Sequence, residues 1–188
     1  MDKDHSWETG QEFDFLDKNS SVSFEIEPAA LAHLPQISMG DAQTGRERFR
    51  VLLGTYKIRG PQRVHIVIKG IYEETKDDVY GTYREGVEQV TFNLSLIRTS
   101  LEQVQRNDPA YKDFQYLGDV HTHPVSGQPF PSEGDLLAAI EQYNDGILDP
   151  NQPYIFGIAA RRRDGEMEYN FFRMFKDGDE YAYMRLDS

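Results

Sequence analysis

The stretch Gly118-Asp119-Val120-His121-Thr122-His123-Pro124, followed after a short loop by Pro131-Ser132-Glu133-Gly134-Asp135, decides how the chain is read. Tyr116 to His123 reads as a short strand. Residues two apart on a strand face the same side, so His121 and His123 aim together. Pro124 ends the strand and leaves the pair at its tip. Ser132 opens a helix whose apolar face is expected to include Leu136, Leu137, Ile140 and Tyr143, and Asp135 falls in its first turn. Two imidazoles and one carboxylate make a metal-ligand set that leaves a fourth, open position. The local pattern has a plainer reading as well. Ser132-x-x-Asp135 is a helix capping box by spacing alone, and capping and ligation can share one turn. Tyr116 and Asp119 read as a core aromatic and a strand-end acid.

Working outward, Val22 to Ile26 alternates as a half-buried strand should. Pro28 suits the first turn of a helix that Pro35 ends. Met39 to Gly45 reads as a small polar loop. Phe49 to Ile58 and Val64 to Ile68 form strands of a hairpin around Gly60-Pro61-Gln62. Residues 69–90 are charged, with mixed strand character, and read as an insertion or a long twisted hairpin. Leu94, Ile97, Leu101 and Val104 have helical spacing, and Asn107-Asp108-Pro109 stops that helix. Beyond the central stretch, Tyr154 to Ala160, Glu168 to Phe175 and Tyr181 to Leu186 read as strands, with turn signals at Asp164-Gly165 and Asp177-Gly178. Strands and helices do not alternate strictly. The expected fold class is therefore α/β of the α+β type, a mixed sheet with helices packed on it.

The 188 residues suit one domain. Residues 1–20 read as a polar N-terminal extension, mobile or docked, ahead of a domain at 21–188. With 20 Lys and Arg against 32 Asp and Glu, the net charge of −12 argues against nucleic acid or an anionic membrane as partner. The absence of cysteine excludes disulfides, thiolate zinc ligands and thiol nucleophiles. No apolar run reaches the length of a membrane span, and the N-terminus lacks the apolar core of a signal peptide, so a cytoplasmic location is expected. The tripeptide Arg161-Arg162-Arg163 abuts a turn and reads as a solvated loop. His5, His33 and His65 read as tail, surface-helix and strand residues.

His121-Thr122-His123-Pro124, the loop, and Ser132-x-x-Asp135 together resemble the JAMM motif of the MPN/JAB metalloprotease family, in a prokaryotic-type member. The upstream run Glu47-Arg48-Phe49-Arg50-Val51-Leu52-Leu53-Gly54 keeps the Glu, the Leu and the final Gly of that family's second motif, with Arg50 in place of its first Gly. The seven residues between Pro124 and Ser132 make this loop one residue longer than is usual there, which a bulge is expected to absorb. The resemblance runs from the strand and helix at 22–34 to about residue 175. It implies a single MPN/JAB-like domain with the cytidine-deaminase-like arrangement of mixed sheet and flanking helices. It also implies Zn2+ held by His121, His123 and Asp135, with Glu47 as the general base and Ser132 as the hydroxyl that stabilises an oxyanion. The implied activity is that of an isopeptidase or peptidase cleaving after the C-terminal Gly of ubiquitin or of a ubiquitin-like or sulfur-carrier protein. The alternative is a non-catalytic MPN scaffold that binds a protein partner. Such scaffolds usually lose a ligand or the Glu, and all are present here.

Asp-x-His-x-His also opens the metal site of amidohydrolase and PHP-type barrels. A (β/α)8 barrel needs about 250 residues, and no further histidine follows His123.

Overall fold

The structure is a computed structural model that describes residues 13–72, 101–102, 105–125 and 127–187, and the backbone of 83–85 and 90–92. Its centre is a seven-stranded mixed sheet in the order β1-β3-β2-β6-β7-β8-β9. The strands are β1 (Ser21–Ile26), β2 (Phe49–Gly60), β3 (Arg63–Tyr72), β6 (Gln115–Thr122), β7 (Ile155–Arg161), β8 (Met167–Asp177) and β9 (Glu180–Leu186). Two short strands, β4 (Tyr83–Glu85) and β5 (Val90–Phe92), form a separate antiparallel pair. Among the described residues, helices with both ends described are α1 (Pro28–Leu31), α2 (Met39–Thr44) and α3 (Glu133–Asn144). The architecture is α+β, as the mixed order of elements implied.

Two strand pairs are parallel, β1 with β3 and β6 with β7. A parallel pair needs a crossover, and α3 lies in the one that joins β6 to β7. The remaining ladders of the large sheet are antiparallel. The main core joins Leu52, Ile66, Ile68, Leu117, Val120, Ile155, Ile158 and Phe172, all essentially without exposure, to Ala139 and Tyr143 of α3. Each large apolar side chain so buried contributes roughly 1.5–3 kcal/mol of transfer free energy. A smaller cluster gathers Phe49, Val51 and Leu53 of β2 against Leu101, Tyr111 and Phe114.

Two glycines let the central strands close up. A Cβ on Gly54, the last residue of the Glu47–Gly54 run, would lie 2.0 Å from the Val67 carbonyl oxygen, beside a register shift in β2. Gly118 has φ +143°, and a Cβ there would lie 1.7 Å from the carbonyl oxygen of Ile155. Both sit where backbones approach too closely for any side chain.

Several expectations need amendment. Met39–Gly45 is not a loop: Ser38 caps α2 with a full capping box to Asp41, and Gly45 ends the helix at φ +69°. Leu137 is 53% exposed, and the buried positions on α3 are Ala139 and Tyr143. Of the expected helix around 94–104, residues 101–102 are helical, as are 105–107, and 93–100 and 103–104 lie outside the described residues. Within 69–90, residues 69–72 continue β3, 83–85 form β4, and 73–82 and 86–89 lie outside the described residues.

Residues 13–20 of the N-terminal segment are docked. Phe13, Phe15 and Leu16 are buried in the main core. The fully buried Arg173 of β8 donates to the carbonyls of Phe15, Asp17, Lys18 and Ser20 at 2.8–3.3 Å. Residues 1–12 lie outside the described residues. Among the described residues, no helix is long and apolar enough to cross a membrane.

Candidate metal centre

The site is built at the tip of β6, where the strand is held on both sides. Antiparallel pairing sets Phe49 of β2 opposite His121, and parallel pairing sets Ile158 of β7 beside it. One step further, the Thr122 N–H donates to the Arg48 carbonyl at 2.9 Å and the Arg48 N–H to the Thr122 hydroxyl at 2.8 Å. The His123 N–H donates to the carbonyl of Ala159 at 2.8 Å. Both histidines are thus fixed by backbone on a central strand and are 8% exposed.

The loop after Pro124 is tied back over the sheet. Asn170 Nδ2 donates to the Pro129 carbonyl at 3.1 Å, and the Phe130 ring packs 6.1 Å from that of Phe172. Gly127 takes a left-handed φ of +61° and turns the chain. Beyond the loop, α3 starts with Asp135 in reach of both histidines.

Asp135 performs two tasks at once. As the third residue of α3 it completes a capping box: its Oδ2 accepts from the Ser132 N–H at 2.6 Å and the Ser132 hydroxyl at 2.7 Å. The same carboxylate reaches His121 Nε2 with Oδ1 at 3.1 Å and His123 Nε2 with Oδ2 at 3.3 Å. The two Nε2 atoms are 3.1 Å apart. Ligand atoms about 2.0–2.1 Å from a tetrahedral ion are separated by about 3.3–3.4 Å along each edge. The separations between the two Nε2 atoms and from each to its carboxylate oxygen, 3.1–3.3 Å, are close to that edge length. His121, His123 and Asp135 form a group that could hold a metal ion.

Electrostatics lead to the same place. Burial disfavours a charge on His121, but hydrogen bonding and charge from Asp119 and Asp135 outweigh it and raise its pKa to about 10. Burial also opposes the charge on Asp135, yet His121, His123 and Ser132 hold its carboxyl far below the usual range. A proton on His121 thus fills the role that a cation fills when the donors are turned to a metal.

Asp41 is an internal contrast. It closes the same Ser-x-x-Asp box with Ser38, but its carboxylate takes the Arg48 guanidinium, with Nη2 at 2.8 Å, and among the described residues it belongs to no group that could hold a metal ion. The capping box alone therefore does not make a candidate metal site; the His pair opposite Asp135 distinguishes it.

Glu47 stands outside the three-donor group. It lies one residue before Arg48, whose carbonyl accepts from the Thr122 N–H, and two before Phe49, the first residue of β2 and the partner of His121. It is half-buried. Ser132 is exposed at the start of α3, its hydroxyl held by Asp135. Sequence reasoning left Tyr154 without a role beyond its strand. Its phenol donates to Asp119, which in turn faces His121.

No family model matches the chain, and no curated protein does. A solved structure shares the fold. The chain is similar to the solution structure of protein DSY2949 from Desulfitobacterium hafniense, with 14% identity and a TM-score of 0.51 over 87% of this chain and 91% of that one.

Proposed function

We propose that the chain is a zinc-dependent isopeptidase or peptidase of the JAMM/MPN type, with an MPN/JAB-like fold, that cleaves after the C-terminal Gly of ubiquitin or of a ubiquitin-like or sulfur-carrier protein. The observation that carries this reading is the convergence of His121 Nε2 and His123 Nε2, 3.1 Å apart, on the Asp135 carboxylate, which meets the first with Oδ1 at 3.1 Å and the second with Oδ2 at 3.3 Å. Two imidazoles and a carboxylate are a donor set of catalytic zinc. Bound zinc lowers the pKa of its water from 15.7 to about 7 and polarises a carbonyl oxygen.

The remaining work falls to the chain. Glu47, two residues before the β2 residue that pairs with His121, takes a proton from the attacking water and returns it to the leaving amine. The Ser132 hydroxyl, at the rim beside Asp135, turns to the oxygen on which charge develops. Water is the nucleophile, so no side chain forms a bond to the substrate, in keeping with a chain that has no cysteine. The substrate class comes from the sequence resemblance. The charge of −12 favours a partner with a basic face.

The segment at 69–90 is our candidate for the edge that holds the substrate tail, and most of it lies outside the described residues. Ile71 is 8% exposed and part of the main core, so its replacement would report on packing rather than on recognition.

The test uses the zinc-loaded chain and a ubiquitin-like protein ending in Gly-Gly, fused to a short peptide and, separately, joined to a lysine through an isopeptide bond. Cleavage after the second Gly is expected, stopped by a chelator and restored by zinc. A chain that holds zinc and leaves both substrates intact contradicts the peptidase reading and favours the scaffold.

A further inference from the structure

We propose that Asp119, itself fastened by Tyr154, is the positioning residue that orients His121 as a metal ligand; the inference rests on the metal-site reading above. Asp119 and His121 are two apart on β6, opposite Val51 and Phe49, and so share a face of the sheet. His121 turns Nε2 to His123 and Asp135 and leaves Nδ1 facing Asp119, whose Oδ1 is 3.8 Å away. A small rotation of the ring or the carboxylate brings that pair to hydrogen-bond distance. The other oxygen, Oδ2, accepts a hydrogen bond from the Tyr154 phenol. Tyr154 comes from the residue before β7, whose parallel register sets Ile155 beside Gly118 and so brings Tyr154 to the foot of Asp119. Burial holds the Tyr154 hydroxyl well above its ordinary pKa, so it remains a donor.

A carboxylate here needs a reason. The Asp119 side chain is only 4% exposed, on a central strand where an aliphatic residue would pack without the desolvation penalty. Neither the ligand set nor the proton transfer uses it. A metal-ligating imidazole must present one nitrogen unprotonated, and a carboxylate accepting from the other nitrogen fixes that tautomer, fixes the ring and raises the basicity of the donor. Asp119 stands where that acceptor belongs, and Tyr154 keeps it from swinging away.

The experiment compares the full-length wild type with Asp119→Asn and Tyr154→Phe by zinc competition against a chromophoric chelator. Cobalt absorption spectra and the nitrogen shifts of His121 are read in parallel. Asp119→Asn is expected to bind zinc about 10- to 100-fold more weakly, and Tyr154→Phe to shift affinity in the same direction by less. Both should alter the cobalt bands, and the wild type should show the proton of His121 on Nδ1. A merely structural Asp119 would lower thermal stability without moving the cobalt bands. Should Asp119→Asn fail to fold, the Tyr154→Phe cobalt spectrum and affinity decide. Zinc affinities within about twofold of wild type, with unchanged cobalt bands, overturn the proposal. A wild type that binds no zinc overturns the metal site itself, a result distinct from the first.

Discussion

Glu47→Ala is expected to keep the fold and the metal while slowing turnover by about 100-fold or more, the range for a positioned acid–base group. The two halves of this expectation have separate causes. Metal retention follows because Glu47 lies outside the donor group formed by His121, His123 and Asp135. The rate loss is expected because Glu47 lies two residues before Phe49, the residue of β2 that pairs with His121. The measurement is zinc content by elemental analysis, together with the initial rate on whichever Gly-Gly-ended conjugate the wild type cleaves. Near-normal turnover in a zinc-replete variant would assign the base to another carboxylate. Loss of zinc would make Glu47 part of the metal site rather than a base.

Gly118→Ala is expected to be among the most damaging single substitutions, and Gly60→Ala is its control. Both glycines have nearly the same backbone conformation, φ +143° and +139°. Placing alanine in that region costs about 1–3 kcal/mol at either position. The space differs. Nothing lies within 4 Å of a Cβ at Gly60, whereas at Gly118 it would strike the Ile155 carbonyl, a backbone atom with no freedom to move aside. The clash separates β6 from β7, the parallel pair that fixes His121 and His123. Urea unfolding should therefore show Gly118→Ala less stable than Gly60→Ala by about 2 kcal/mol or more. Metal affinity should fall in Gly118→Ala alone. Equal stabilities would mean that β6 and β7 are not paired in this register.

The group of possible metal donors was legible because nearly all of it is local. His121 and His123 share a strand face by period alone, and Asp135 follows within one loop and one turn. The strands were legible for the same reason, from alternation and turn residues. What escaped was either non-local or lacked an apolar period. Met39–Thr44 holds too few apolar residues to show a helical stripe, and the signal lay in Ser38, Asp41 and Gly45, a cap at each end. Leu137, expected on the apolar face, is exposed, and α3 buries the small Ala139 instead. Docking of residues 13–20 depends on Arg173, a charged residue inside an apolar strand, whose carbonyl partners lie more than 150 positions away in the sequence. The Tyr154–Asp119 bond joins two strands that a helix separates, and no local pattern announces it.

The central claim is that His121, His123 and Asp135 hold one metal ion, and elemental analysis of the zinc-replete wild type beside His123→Ala tests it most directly. Removing one of three donors leaves two, too few to retain zinc against a chelating wash. The account predicts about one zinc per wild-type chain and little or none in the folded variant. A wild type that holds no zinc, or a His123→Ala chain that retains all of it, would contradict the account.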